Sequence, residues 1–314
     1  MSKEKVSVII STRNRPKYLE HTINSILANS YADFEVIIVD QSDNGRTQVL
    51  VDRFAQTNSK IRYFRTSSRG LGTAKNFGIK KYQGTIVAFT DDDCAVHSDW
   101  IENMVLSFRQ NPEAGIVFGS VLPPPGYKTS DGFVPVFLAK DSLLKGVFSK
   151  VYARGIGANM AVKKEVIEKV GSFDEMLGTG AALPGNVDYD YSYRTLMNGF
   201  KIFDSSSVKV IHLEVRKWGK EAMDKLKQYE LSRLAVYMKY IRYGDWRAFF
   251  VMFLEIFVKI FQLIKGSNYI AEAYTRPRLF VAICLFFNYV CWWSLGIARS
   301  LKFRVDKKRC IYYK

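Results

Sequence analysis

Three consecutive aspartates, Asp91-Asp92-Asp93, close a short apolar run and are the sharpest chemical signal in the chain. Carboxylates at alternate positions, an Asp-x-Asp pattern, can hold a divalent cation that neutralises a diphosphate. The competing reading is a solvated loop with an N-cap before a helix near residue 98. Asp40 ends another apolar run and suits hydrogen bonding to a nucleotide base or ribose. It could equally close the turn Asp40-Gln41-Ser42-Asp43. Asp188 and Asp190 precede Arg194 on one predicted helix. A carboxylate there can take a proton from an acceptor hydroxyl. Helix-dipole compensation and an Asp190–Arg194 pair four residues apart are the alternative, which favours Asp188 as the base. His212 follows a predicted strand, and a metal held by aspartates needs further ligands of its kind. Lys75 and Asn76 lie in Gly70-Leu71-Gly72-Thr73-Ala74-Lys75-Asn76-Phe77-Gly78. That run lacks the Gly-x-Gly-x-x-Gly order at a first strand, so NAD binding is not expected. The two residues either touch a nucleotide or simply begin a helix.

The elements that must position these groups follow from the apolar pattern. Val6–Ile10, Phe34–Val39, Ile61–Phe64 and Thr85–Phe89 read as buried strands. Helices are predicted between them: one opened by Pro16 with a stripe of Leu19, Ile23, Ile26 and Leu27, then 46–57, then 72–81. This alternation predicts an α/β fold with a mostly parallel central sheet and helices on both faces. Ligands then bind beyond the carboxyl ends of the strands, where Asp40 and the triplet sit. Leu122-Pro123-Pro124-Pro125-Gly126 cannot be helix or central strand, so a loop leads into a second lobe. That lobe holds a helix over Val162–Val170, a Gly-rich stretch from Gly178 to Gly185, the helix of Asp188, and a strand over Val208–His212.

Charge separates the two ends of the chain. The 314 residues carry 46 Lys/Arg, 30 Asp/Glu and a net charge of +16, with 48% hydrophobic content, which excludes wholesale disorder. From residue 214 onward there are 20 basic and 8 acidic residues, so the excess lies mainly there. That segment is predicted to be entirely helical. Residues 246–264 are largely apolar, with Glu255, Lys259 and Gln262 on one narrow polar stripe, and Glu255 and Lys259 placed to satisfy each other. Leu279–Ala298 carries no charge and is flanked by Arg276 and Arg278 before it and six cations after it. Twenty such residues just span a bilayer core of about 30 Å. The flanking cations suit anionic lipid headgroups, and 246–264 suits the membrane interface. A helical hairpin buried in a homo-oligomer is the alternative. Nucleic acid is not the expected partner, because that needs basic residues interleaved with exposed aromatics. Cys94, Cys284, Cys291 and Cys310 form no Cys-x-x-Cys pair, which suits a reducing compartment; Cys94 reads as a small buried residue. Only five strand-like residues follow the first five, too few for a signal peptide.

Taken together, the motifs resemble the family-2 inverting glycosyltransferases, which have the A-type nucleotide-diphospho-sugar transferase fold. The resemblance rests on Val-Ser-Val-Ile-Ile-Ser-Thr-Arg-Asn-Arg-Pro, Phe-Glu-Val-Ile-Ile-Val-Asp, the Gly-x-x-x-Ala-Lys-Asn-x-Gly run and the aspartate triplet. It continues through Gly157-Ala158-Asn159-Met160-Ala161, Val170-Gly171-Ser172-Phe173-Asp174-Glu175 and Asp188-x-Asp190-x-x-x-Arg194, covering residues 5 to about 213. It implies a catalytic domain over 1–213, with a nucleotide-sugar half over 1–120 and an acceptor half over 121–213, and a membrane-association region over 214–314. It further implies that Thr12, Arg13, Asp40, Lys75, Asn76, Asp91 and Asp92 contact the nucleotide sugar. Asp93 and His212 would hold Mg²⁺ or Mn²⁺, and Asp188 would be the general base with Asp190 its rival. The family's Glu-Asp pair is Val187-Asp188 here, and its Ala-Arg-Asn is Ala74-Lys75-Asn76. The implied activity is sugar transfer to a hydroxyl of a lipid-linked saccharide at the cytoplasmic face of the cell membrane, for cell-surface polysaccharide or glycolipid synthesis. The alternatives are a polyprenyl-phosphate sugar synthase and a basic binding module on an inactive transferase fold.

Overall fold

The computed structural model describes residues 4–151, 155–264 and 278–314, and its centre is one nine-stranded sheet. β1 (Val6–Thr12), β2 (Phe34–Asp40), β3 (Ile61–Arg65) and β4 (Ile86–Asp91) are the four strands expected from the apolar runs. They pair in parallel in the order β3-β2-β1-β4. The crossovers are α1 (Pro16–Leu27), α2 (Arg46–Thr57) and α3 (Leu71–Ile79). Side chains alternate across a strand, so each strand feeds two cores. Val8, Ile10, Val36 and Ile38 pack with Leu19 and Ile23 of α1, Leu50 of α2, and Trp100 and Met104 of α4 (Trp100–Gln110). Ile9, Ile37, Val39 and Phe89 point the other way, toward α5 (Lys164–Val170), α6 (Val187–Met197) and α7 (Lys220–Tyr243).

The far half of the sheet is mixed, which corrects the mostly parallel expectation. β4 pairs antiparallel with β8 (Met160–Lys163), and β8 pairs antiparallel with β6 (Ala114–Leu122). β9 (Lys201–His212) runs parallel to β6, while β5 (Cys94–Val96) and β7 (Ser142–Leu144) run antiparallel to β9. Residues 162 and 163 were expected to be helical, but they belong to β8. Met160 and Val162 enter one core and Ala161 the other, a period of two that only a strand gives. Asn159, just before β8, fixes the join. It accepts from Trp100 Nε1 at 2.8 Å and donates to Ser120 O at 2.9 Å and Val208 O at 3.1 Å. A Cβ on Gly119 would lie 2.3 Å from Asn159 Nδ2, so that strand position must be glycine.

The segment after residue 213 is not wholly helical. α7, α8 (Arg247–Ile264) and α9 (Arg278–Ser300) are followed by a hairpin of β10 (Arg304–Asp306) and β11 (Ile311–Tyr313). The hairpin is tied back to the body, because Tyr312 N–H donates to Asp174 Oδ2 at 2.8 Å. α7 lays Leu231, Ala235, Tyr237 and Tyr240 into the same core as Phe89 and Phe118. Each such buried side chain contributes about 1.5–3 kcal/mol. Tyr289, Trp292 and Trp293 of α9 pack on Ala222, Leu226 and Leu234 of α7.

α8 buries Ala248, Val251 and Glu255 and leaves five rings facing solvent, Phe249, Phe250, Phe253, Phe257 and Phe261, which with Trp246 just before the helix are each 49–65% exposed. Glu255 is held by Arg233 at 3.2 Å and by the Tyr189 hydroxyl at 2.8 Å, and the side chain of Lys259, its expected partner, lies outside the described residues. Among the described residues, no helix is long and apolar enough to cross a membrane. Part of the uncharged Leu279–Ala298 stretch, the side chains of 279–285, also lies outside them.

Candidate active site

Asp91 is the last residue of β4, and Asp92 and Asp93 form the turn into β5. The triplet does not dangle in solvent. Thr12, at the end of β1, donates its hydroxyl to Asp92 Oδ2 at 2.7 Å. Arg15 bridges Asp92 at 2.9 Å, Asp93 at 2.8 Å and Glu214 at 2.9 Å. Burial pushes Asp92 up to about 7, against the pull of Arg15 and Thr12. Burial would raise Asp93 too, but His212 and Arg15 together outweigh it and hold that carboxyl below its usual range. The same loss of water raises Asp91, with Lys75 opposing.

The β5–β9 register sets Cys94 opposite His212 and so brings His212 to the triplet. His212 Nε2 lies 3.6 Å from Asp93 Oδ1, and its Nδ1 is buried with no hydrogen-bond partner among the described residues. Ligand atoms of Asp93, Cys94 and His212 fall within 4.8 Å of one another. Burial holds the Cys94 thiol protonated, so it is no ligand for a hard ion. Asp93 oxygen and His212 nitrogen fit Mg²⁺ or Mn²⁺, with most of the coordination shell left to phosphate oxygens and water.

α6 aims Asp188 at the same place. Its N-cap, Asn186, takes a left-handed backbone (φ 57°) and donates its amide to Tyr229 O at 2.6 Å. Gly157 N–H donates to Asp188 Oδ2 at 2.6 Å. A Cβ on Gly157 would lie 3.0 Å from both Asp188 Cβ and Lys75 Nζ, so Gly157 lets these groups close together. Lys75 is buried, stands over the Phe89 and Phe173 rings at 5.1 and 5.4 Å, and is lowered by burial against Asp91 and Asp188. Asp188 is only partly buried.

Asp190 is sealed. It pairs with Lys239, with Arg194 at 3.1 Å and with the Tyr240 hydroxyl at 2.6 Å, with no exposed surface. Lys239 in turn reaches Asp174 at 2.8 Å. Asp190 therefore has no open path to an acceptor hydroxyl in this structure, whereas Asp188 is partly exposed.

Three other residues expected at the nucleotide sugar have partners within the protein. Asp40 is fully buried, accepting from Ser42 N–H at 2.8 Å and Tyr63 hydroxyl at 2.6 Å, as the turn reading requires. Asn76 bonds Phe173 O at 3.0 Å, Phe173 N–H at 2.7 Å and Glu175 at 2.9 Å, tying α3 to the 173–175 turn. Arg13 is exposed and pairs with Asp43 at 3.2 Å.

Other residues at the site were not singled out from the sequence. Arg15 and Glu214 flank Asp93. Arg216 pairs with Glu214, and its Nη1 is buried without a partner among the described residues. Lys225 of α7 stands close enough to feel Asp91 and Asp93, and burial lowers it. Part of the basic excess after residue 213 therefore faces the aspartates. A charge count cannot show this, because it does not say which way α7 turns.

With this geometry in hand, the known proteins it resembles can be compared. Solved structures share the fold: the mannosyltransferase PcManGT from Pyrobaculum calidifontis, in complex with GDP-Man and Mn²⁺, has a TM-score of 0.60 at 19% identity, over 96% of this chain and 87% of that one. S. aureus TarS 1-349 in complex with UDP-GlcNAc gives 0.57 at 16%, over 74% and 65%. In sequence, the chain is 27% identical over 179 residues to the glucosyl-dolichyl phosphate glucuronosyltransferase of Haloferax volcanii, over 55% of this chain. It spans 57% of that relative's length. The family model described as Glycosyl transferase family 2 matches residues 7–171, more than half of the chain. These residues run from β1 through the triplet and Gly157 to the end of α5, and the chain belongs to glycosyl transferase family 2.

Proposed function

We propose that the chain is an inverting sugar transferase, moving a sugar from a nucleoside-diphosphate donor to a hydroxyl of a lipid-linked saccharide at a membrane surface. The observation that carries this reading is the meeting of a reachable carboxylate, Asp188, with Lys75 and the Asp91–Asp93–His212 group at the ends of β4 and β9. A bound Mg²⁺ or Mn²⁺, held by Asp93 and His212, supplies positive charge to the donor diphosphate. Lys75, Arg216 and Lys225 add fixed cations where charge develops on the leaving nucleoside diphosphate. Asp188 takes the acceptor's proton on Oδ1 as the acceptor oxygen attacks the anomeric carbon from the face opposite the leaving group. The Gly157 N–H fixes Oδ2 and thereby the orientation of the carboxyl. One displacement inverts the anomeric centre.

Two observations favour a lipid-side acceptor. Trp246 and the five exposed rings of α8, with Arg247 at its start and the cations of the C-terminal hairpin, suit an interface with anionic lipid. The relative from Haloferax volcanii is named for a dolichyl-phosphate-linked substrate. The test is a panel of nucleotide sugars with Mg²⁺, Mn²⁺ or chelator, scored for nucleoside diphosphate release. Turnover with one donor, lost on chelation and in Asp93→Ala, is expected. Turnover unchanged by chelation and by Asp93→Ala would overturn the metal assignment.

A further inference from the structure

A cavity of about 470 Å³ opens at the C-terminal end of α6, the end away from Asp188. It lies where the C-terminal ends of α5, α6 and α7 meet the turn between β10 and β11. Lys169, Ser172, Arg194, Tyr243, Lys308 and Arg309 line it, and none of its lining residues among those described is acidic. Arg194 is 2% exposed. Its Nε is taken by Asp190 at 3.1 Å and its Nη1 by Val170 O at 3.1 Å, while Nη2 is buried with no partner among the described residues.

The charges around it do not cancel inside the cavity. Asp190 and Asp174 are matched by Lys239 and Arg194 within the protein. Asp306 accepts the backbone N–H groups of Lys308 and Arg309 and so caps their turn, leaving both side chains exposed. Three flexible cations thus surround one fixed guanidinium that has a donor to spare. Planar guanidinium forks and ammonium groups arranged this way recognise phosphate oxygens.

We propose that this cavity is a phosphate-binding site distinct from the transfer centre, with Arg194 as its fixed donor and Lys169, Lys308 and Arg309 closing on the anion. It takes a phosphate monoester or diester, free in solution or as a lipid headgroup. α8 begins four residues after the lining residue Tyr243, which links the site along the chain to the exposed aromatic face. It shares no lining residue with the transfer centre, so its occupant is not the donor diphosphate.

The test compares the intact chain with two double variants that lose the same charge. Lys308→Gln/Arg309→Gln changes the cavity, while Lys302→Gln/Arg304→Gln changes exposed cations on the same hairpin outside it. Thermal unfolding is followed against inorganic phosphate, and co-flotation is measured with phosphatidylcholine vesicles with and without phosphatidic acid. Loss of two charge-assisted contacts should weaken phosphate binding at least about tenfold in the cavity variant and leave the outside variant near the parent. Lys169→Gln, on a different element, should weaken it in the same direction. If phosphatidic acid binding falls in parallel, the phosphate comes from a lipid headgroup; if only the inorganic phosphate response falls, it comes from solution. Equal weakening in both double variants, or no saturable response to phosphate in the parent, overturns the proposal.

Discussion

α6 carries two groups of buried charge, and they differ in how completely they are paired. Around Asp190, on the inner side, two carboxylates, a lysine, an arginine and a tyrosine hydroxyl pair away from solvent, and only Arg194 Nη2 is left without a hydrogen-bond partner among the described residues. Around Asp188, half a turn away, the site is left open. Asp188 is partly exposed, His212 Nδ1 and Arg216 Nη1 lack partners among the described residues, and burial lowers Lys75 and raises Asp91. Identical residue types therefore do different work. A closed network fixes the position of α6, and the unsatisfied group beside it is left to meet a substrate.

The sharpest way to break this contrast is Asp188→Asn. Transfer should fall by about 10²–10⁴-fold while the melting temperature holds, checked by initial rates beside calorimetry. The converse is Lys239→Met, which strands Asp190 and Asp174. It should cost about 3–5 kcal/mol in urea unfolding, with the rate per folded molecule nearly unchanged. Asp204 tests the rule at a third place. It is 6% exposed, its Oδ1 has no partner among the described residues, and burial pushes it up to about 6 against Lys150. The folded state thus holds that proton more tightly than the unfolded chain. This carboxyl therefore destabilises the fold progressively from about pH 4 to 6 and fully above that window. Asp204→Asn should add roughly 1–3 kcal/mol at pH 7 and little at pH 4, read from unfolding at both values. Arg13→Ala is the smallest change, since the Arg13–Asp43 pair is exposed on both sides. It should leave the melting temperature unmoved, and a shift would show that the pair anchors the β1 and β2 ends.

The parallel half of the sheet was legible because its strands are predominantly apolar runs, each ending in a polar residue. The triplet was legible because its position followed from β4. The antiparallel half was hidden for two reasons. β8 is short and runs straight into α5, so its end reads with α5 as one helix over Val162–Val170. β9 is interrupted by Ser205-Ser206-Ser207, where its register against β6 shifts, so only Val208–His212 stood out. The sealing of Asp190 was out of reach for a different reason. Lys239 lies some fifty residues downstream, and only the packing of α7 on α6 brings it to Asp190. Arg15, Arg216 and Lys225 were missed because an unpaired basic residue reads as solvated surface until its neighbours are known.

The most direct test of the division of labour on α6 is single-turnover transfer by Asp188→Asn and Asp190→Asn side by side, each normalised to folded protein. The expected result is near-complete loss in Asp188→Asn with wild-type melting, and reduced melting with retained transfer per folded molecule in Asp190→Asn. Retained transfer in Asp188→Asn, together with a dead but stable Asp190→Asn, would contradict the account.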